Sequence, residues 1–307
     1  MIQYKTGNRF KYYSAFIVLF CLMFSVSLII SCSSVQERTN EVTKSFLWEV
    51  ESKTSRCYIL GSLHLATKEI YPLAQTIEES FENADVLVVE IDITAVNSQE
   101  IYKKTMYPPG ETLKMHISKE LYELTSTTLE NMGLSIELIK LFKPWAVAMT
   151  IEVFQLSKMG YDPEYGIDRY FIKKAKGKKE IKELESLEFQ VNLFDSFSDE
   201  LQGQFLHATI LELQNSEEEI GKIVESWKTG NIDAMKSLIF QSMETNNELL
   251  PVFDTLLHER NRNMVEKIEG YLSTEKIHFV IVGAAHLIGE LGIIQRLEEK
   301  GYSSVQL

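Results

Sequence analysis

The chain has 307 residues, 45% of them hydrophobic and 24% charged, an ordinary globular composition that excludes disorder, collagen-like repeats and a polytopic membrane protein. Its net charge of −13, from 31 Lys and Arg against 44 Asp and Glu, argues against nucleic acid as a partner, because a phosphate backbone is bound through a positive field. The length suits one large domain or two small ones.

Charge is unevenly placed. Residues 1–32 carry Lys5, Arg9 and Lys11 and no acidic residue, and from Tyr12 to Ile30 the chain is apolar apart from Ser14, Ser25 and Ser27. A basic start and an apolar run read as an export signal over residues 1–32. Its end, Ile29-Ile30-Ser31-Cys32, resembles a bacterial lipobox, in which Cys32 is lipidated and heads the mature chain. Residues 33–44 then form a polar tether to a membrane, and Ser33 is compatible with outer-membrane sorting. An uncleaved membrane helix is the alternative, since the run approaches the roughly 20 residues that span a bilayer. Either way the folded part, residues 45–307, faces the periplasm or the cell exterior. Cys57 is the one cysteine left there, so neither an internal disulfide nor a Cys-rich zinc module is available; in its strand-like surroundings it reads as a small buried apolar residue.

Phe46-Leu47-Trp48-Glu49-Val50 and Cys57-Tyr58-Ile59-Leu60 flank a polar Glu51–Ser55 and predict a β-hairpin. The second strand runs into Gly61-Ser62-Leu63-His64. After Pro72, the apolar residues Leu73, Ile77 and Phe81 recur every four positions and predict a helix. Val86-Leu87-Val88-Val89 has the look of a strand buried on both faces and ends at Glu90. Strand, helix, strand is a βαβ unit, which predicts a parallel pair. From about Thr94 to Leu272 the chain is mostly helical in character, punctuated at Pro108-Pro109-Gly110 and Lys143-Pro144, with a loop over Gly160–Asp168, a basic turn at Lys176–Lys179 and a short strand at Glu180–Leu184. Ile277–Val282 is a strand again, Gly283-Ala284-Ala285-His286 a turn, Gly289–Lys300 a helix stopped by Gly301, and Tyr302–Leu307 a last strand. The fold class is therefore α/β: a mixed, mainly parallel sheet from the N- and C-terminal segments, with a large helical insertion at about 95–272.

One echo stands out. Twice a hydrophobic strand ends in Gly, with His three residues later. In an open α/β sheet the carboxyl ends of the strands line the ligand crevice, which would bring His64, His286 and Glu90 to one edge. Two imidazoles and a carboxylate are a recurrent minimal set for a divalent transition metal. The plainer reading of a single such His is a hydrogen-bonded loop residue, and of such a Glu an ion-pair partner. His116, His207, His258 and His278 lack this context and read as structural or surface residues. Trp48, Trp145 and Trp227 read as core.

Tyr58-Ile59-Leu60-Gly61-Ser62-Leu63-His64, Tyr71-Pro72-Leu73 and Ala84–Glu90 resemble the opening of the TraB/GumN family, and Phe279–Gly292 is similar to its second Gly-x-x-His block. Tyr165-Gly166-Ile167-Asp168, Leu184-Glu185-Ser186 with Gln190, and Glu259-Arg260-Asn261 match in order between them. Ser62 stands where the commonest family form has Thr, which keeps the hydroxyl. The resemblance covers residues 45–307 and implies an α/β core with a helical insertion, related to Tiki-type metalloproteases and more distantly to erythromycin-esterase-like proteins. In Tiki-type members the paired blocks and a Glu support peptide-bond hydrolysis dependent on a divalent metal. Carried onto this chain, His64, Glu90 and His286 become metal or catalytic residues, and Asp168, Glu185 and Arg260 further site candidates. Each has a plainer alternative: Asp168 or Asp162 as a helix cap, Glu185 as a partner of a nearby Lys, and Arg260 as a clamp on a substrate carboxylate or a holder of Glu90 or Glu185.

The expectation is an envelope-anchored, metal-dependent hydrolase acting on a peptide or small molecule. It uses a divalent ion (Mn, Co or Zn) on His64, His286 and Glu90, with Glu90 as base if it is not a ligand and Arg260 stabilising the oxyanion. The rivals are a lipoprotein that binds metal, haem or a small ligand without catalysis, and an envelope adaptor that works through its helical insertion. A phosphoryl-transfer enzyme is disfavoured, as no Gly-rich phosphate loop with Lys is present.

Overall fold

The structure, a computed structural model, describes residues 44–94, 98–213, 216–245 and 247–307. The export signal, Cys32 and the tether up to residue 43 lie outside them. Among the described residues no helix is long and apolar enough to cross a membrane.

A six-stranded sheet organises the chain. Its strands are β1 (Leu47–Glu51), β2 (Arg56–Ser62), β3 (Val86–Val89), β4 (Glu180–Glu183), β5 (His278–Gly283) and β6 (Ser303–Gln306), in the order β4-β3-β5-β2-β1-β6. β1 and β2 form the expected antiparallel hairpin, with Leu47 opposite Leu60. β4, β3, β5 and β2 are mutually parallel, and β6 runs antiparallel to β1. The predicted βαβ unit is present with one difference. β2 and β3 are parallel but do not pair; β5 lies between them, with Ile59 and Val88 both facing Val280. A continuous apolar run marks a strand as central without saying which strand it will touch, and β5 is the most apolar partner available to both.

Every residue of β3 and β5 is buried, as expected of parallel strands covered on both faces. Successive strand side chains point to opposite faces, and β5 shows what covers each. Phe279 packs against Phe81 of helix α1 (Gln75–Asn83) and Phe171 of a later helix, with ring centroids 5.6 and 5.1 Å away. Its neighbour His278 turns the other way and stacks at 4.6 Å on Tyr271.

The predicted helical middle is observed. It comprises α2 (Ser98–Thr105), α3 (Lys119–Met132), α4 (Pro144–Lys158), α5 (Ile167–Ala175), α6 (Leu187–Asp195), α7 (Asp199–Glu212), α8 (Ser216–Lys228), α9 (Ile232–Thr245), α10 (Leu250–Phe253) and α11 (Arg260–Leu272). Phe171 lies on α5 and Tyr271 on α11. Pro144 occupies the first turn of α4, where its missing N–H costs nothing. A π-helical turn, Asp254–Glu259, joins α10 to α11 and ends directly before Arg260. The last helix, α12 (Ile293–Glu299), is shorter than the predicted Gly289–Lys300. Gly289 has φ +83, and a Cβ on Gly292 would stand 2.6 Å from the Ile288 carbonyl oxygen, so this stretch is a tight turn. Trp48, Trp145 and Trp227 are core residues, as is Cys57.

Candidate active site at the carboxyl edge of the sheet

Parallel β2, β3, β4 and β5 deliver their carboxyl ends to one edge, and each contributes a polar residue there: His64 after β2, Glu90 after β3, Glu185 after β4 and His286 after β5. The ladder continues past β3 and β4, with the Leu184 and Glu185 N–H groups donating to the Val89 and Glu90 carbonyls at 2.8 Å. That pairing sets the Glu90 and Glu185 carboxylates side by side, each 4% exposed. Two adjacent buried negative charges require a cation, and Arg260 supplies it. Its Nε lies 3.1 and 3.0 Å from the two Glu185 oxygens, and Nη2 donates to Glu185 Oε2 at 2.8 Å and to Glu90 Oε2 at 2.5 Å. Nη1 donates to the Leu256 carbonyl, inside the π-helical turn, at 3.1 Å. The wider turn thus aims the guanidinium and gives it a backbone anchor, a use of π-geometry common at functional sites. Gln190 Nε2 donates to both carboxylates, at 3.1 Å to Glu90 and 2.8 Å to Glu185, and the Gly283 N–H donates to Glu90 Oε1 at 2.7 Å.

Of the alternatives open for Arg260 and Glu185, the structure has Arg260 holding both Glu90 and Glu185, and Glu185 paired with Arg260 in place of a lysine. Burial alone would push Glu90 up; Arg260 outweighs it, helped by His286, His64 and the Gly283 N–H, and holds the carboxyl down at about 2. Glu90 is therefore ionised at any ordinary pH.

Each Gly-x-x-His imidazole is gripped at Nδ1. His64 Nδ1 lies 2.7 Å from Asp168 Oδ2, while Ser62 Oγ donates to Asp168 Oδ1 at 3.2 Å. Asp168 sits in the first turn of α5 without capping it; the capping role expected of Asp168 or Asp162 falls to Asp162, which accepts from the Glu164 N–H before the 3-10 turn Pro163–Tyr165. α5 approaches His64 closely because residue 166 is Gly: a Cβ there would stand 2.2 Å from the His64 carbonyl oxygen. The Ile167 N–H also donates to the Leu63 carbonyl at 3.1 Å. His286 Nδ1 lies 2.6 Å from Asn261 Oδ1, and His286 Nε2 lies 3.7 Å from Glu90 Oε1.

The two imidazoles differ in charge preference. Burial lowers the proton affinity of both. For His64 the Asp168 carboxylate and its hydrogen bond, with Glu90 behind them, outweigh burial and raise the pKa above its ordinary value. For His286 burial is reinforced by Arg260, and the pKa falls to about 3 in spite of Glu90. In both residues Nε2 is buried with no hydrogen-bond partner among the described residues.

The structure thus brings His64, Glu90, Asp168, Glu185, Arg260 and His286 into one charged cluster. Gln190 and Asn261 belong to it too. Sequence reasoning gave them no role, although their places beside Glu185 and Arg260 within matching blocks were the available signal. Of the remaining histidines, His116 is held between Glu111 and Asp199 and His278 packs on Tyr271, while His258, in the π-helical turn, acts on His286 to lower its proton affinity.

A divalent metal, the group the sequence suggests, can be tested against these side chains. Two orphaned buried imidazole nitrogens fit, and so does the charge. Three buried carboxylates against one guanidinium leave two negative charges when both imidazoles are neutral. Glu90 fits less well as a ligand, since both its oxygens already accept hydrogen bonds. Among the described residues no group of three His, Cys, Asp or Glu is arranged to hold an ion.

The chain is 27% identical over 250 residues to "Uncharacterized protein YbaP" of Escherichia coli (strain K12), covering 78% of this chain and 87% of the relative, and equally to the protein of that name from Shigella flexneri. No solved structure matches the chain. The model of the TraB/PrgY/gumN family matches residues 46–306, nearly the whole folded part, and the chain belongs to that family.

Proposed function

We propose that this cluster is the active site of a metal-dependent hydrolase, acting on peptide bonds and anchored in the cell envelope through Cys32. The observation that carries the reading is the pair of buried Nε2 atoms on His64 and His286, neither with a hydrogen-bond partner among the described residues and each in an imidazole held from behind at Nδ1. A ligand histidine characteristically has a fixed second nitrogen, because the partner sets ring orientation and basicity. A divalent ion held by these two nitrogens would supply a Lewis acid and a bound water that ionises near neutral pH. The chain's own residues do the rest. Asp168 and Asn261 orient the two rings. Arg260, Gln190 and the Gly283 N–H keep Glu90 ionised and aimed, so that Glu90 Oε1 accepts a hydrogen bond from a water entering beside His286. Arg260 acts through Glu90, as four of its five N–H groups are spent on Glu90, Glu185 and the Leu256 carbonyl. Peptide bonds are the substrate class to which the resemblance to Tiki-type proteins points.

A second reading has its own support. The His64–Asp168 pair has the arrangement of a water-activating base and its orienting carboxylate, and Glu90 is already occupied. In that case His64 Nε2 takes the water's proton directly and no ion is needed. Elemental analysis of residues 33–307, with His64→Ala and His286→Ala alongside, separates the two. Stoichiometric metal lost from both variants, together with peptide hydrolysis that stops on chelation and returns on metal addition, supports the first reading. Chelator-resistant hydrolysis lost only with His64→Ala supports the second. Unchanged turnover in both variants overturns both. Transfer of labelled fatty acid to the wild type and not to Cys32→Ala tests the anchor.

A further inference from the structure

We infer that Asn261 is a positioning residue that fixes the tautomer of His286, keeping the Nε2 lone pair free of a proton and directed into the site. Asn261 is fully buried, and its two amide atoms face different partners. Nδ2 lies 2.8 Å from the Leu291 carbonyl oxygen, an atom that can only accept. That contact must be made by the NH₂ group, because the flipped amide would set oxygen against oxygen. Oδ1 is thereby turned toward His286 Nδ1 at 2.6 Å. An amide oxygen only accepts, so Nδ1 carries the hydrogen, and in the neutral ring Nε2 carries none.

This arrangement is imposed against a local preference. Glu90 Oε1 lies 3.7 Å from His286 Nε2, close enough for a small ring rotation to make an N–H···O⁻ bond. Without Asn261 the favoured form would put the hydrogen on Nε2 and donate it to Glu90, which removes the lone pair and spends one more of Glu90's acceptor sites. The Leu291 carbonyl is itself steadied by the Arg296 Nε, which donates to it at 2.9 Å, and by the turn at Gly289 and Gly292. The turn after β5 therefore keeps the amide facing one way, and the amide fixes the ring.

The inference rests on the hydrolytic reading only for its effect on turnover; the tautomer is measured without reference to any activity. Nitrogen-resolved NMR of the full chain in detergent micelles, labelled at histidine ring nitrogens and held with chelator, reports which nitrogen of His286 bears hydrogen, with His286→Gln giving the assignment. The wild type is expected to show Nδ1–H. Asn261→Leu, of similar size and without an acceptor, is expected to move His286 to Nε2–H and lower turnover on the order of 10–100-fold. Asn261→Val, smaller and equally without an acceptor, is expected to make the same switch, which guards against Asn261→Leu failing to fold. Nε2–H in the wild type, or Nδ1–H persisting in folded Asn261→Leu or Asn261→Val, overturns the inference. A tautomer switch in a chain that hydrolyses nothing leaves it standing and removes the hydrolase reading instead.

Discussion

Replacing Arg260 by Met is the most direct test of how the site is held. The guanidinium is 2% exposed, so the variant loses little volume and leaves Glu90 and Glu185 facing each other with no cation between them. Breaking a buried ion pair by removing one partner costs about 3–5 kcal/mol, because the orphaned charge stays buried. A domain of this kind is typically stable by about 5–15 kcal/mol, so the variant should fold at reduced stability at pH 7. The pH dependence is the sharper signature. In the wild type Glu90 titrates near 2 against an ordinary 4.5, so its contribution is present above 4.5 and lost as pH falls toward 2. Without Arg260, the largest influence opposing burial at Glu90 is gone and its proton affinity rises above the unfolded value. Glu90 then stabilises the fold only when protonated, and stability falls as pH rises from 4.5 to 7, by up to about 1.4 kcal/mol per pH unit. Urea denaturation of residues 33–307 at pH 4.5 and pH 7 reads both quantities. The wild-type and variant curves should converge by roughly 1–3 kcal/mol on acidification. A loss below about 1 kcal/mol at pH 7, or a gap that does not narrow at pH 4.5, would refute the account of Arg260 as the counter-charge.

Three further outcomes are expected. His286 has its pKa depressed to about 3, so its contribution is present above 6.5 and lost as pH falls; in chelator-containing buffer the wild type should lose about 2–3 kcal/mol between pH 6.5 and 4.5 that His286→Gln keeps, and parallel denaturation profiles would contradict this. His64, whose pKa is raised, works in the other direction and only above pH 6.5, so the two do not overlap. Gly166→Ala would drive a Cβ into the His64 carbonyl; a destabilisation of about 1–3 kcal/mol, with turnover lost beyond what the instability explains, is expected from thermal melts and assays, and a neutral outcome would mean that α5 does not need that closeness. Cys57 is fully buried, and burial pushes its thiol up to about 12, so alkylation should track unfolding across a denaturant series, and rapid labelling of the native chain would show the strand to be open.

Much of this was legible in local sequence. β3 declared itself because four consecutive apolar residues can be buried only from both sides, and the glycines before His64 and His286 marked strand ends. The parallel direction of those strands, implied by the strand-helix-strand pattern, then puts His64, Glu90 and His286 on one edge. What local pattern could not supply was pairing across long separations: that β5 divides β2 from β3, that Asp168 reaches back to Ser62 and His64, and that Asn261 supports His286. Those contacts depend on α5 and α11 lying on opposite faces of the sheet, which follows from packing and not from periodicity. The choice among roles for Arg260 was likewise set by the side-by-side placement of Glu90 and Glu185, a consequence of β3–β4 register.

The position of β5 bears on how the protein is made. This strand is the middle rung, and it leaves the ribosome after nearly all the rest. Until it arrives, β2 and β3 have unpaired inner edges and the two Gly-x-x-His segments cannot meet. Long-range parallel pairing of this kind folds slowly, and open strand edges are prone to misassembly in the interval. The carboxyl-edge site therefore cannot form through most of the chain's synthesis. Assembly of the site is thereby deferred until the polypeptide is almost complete.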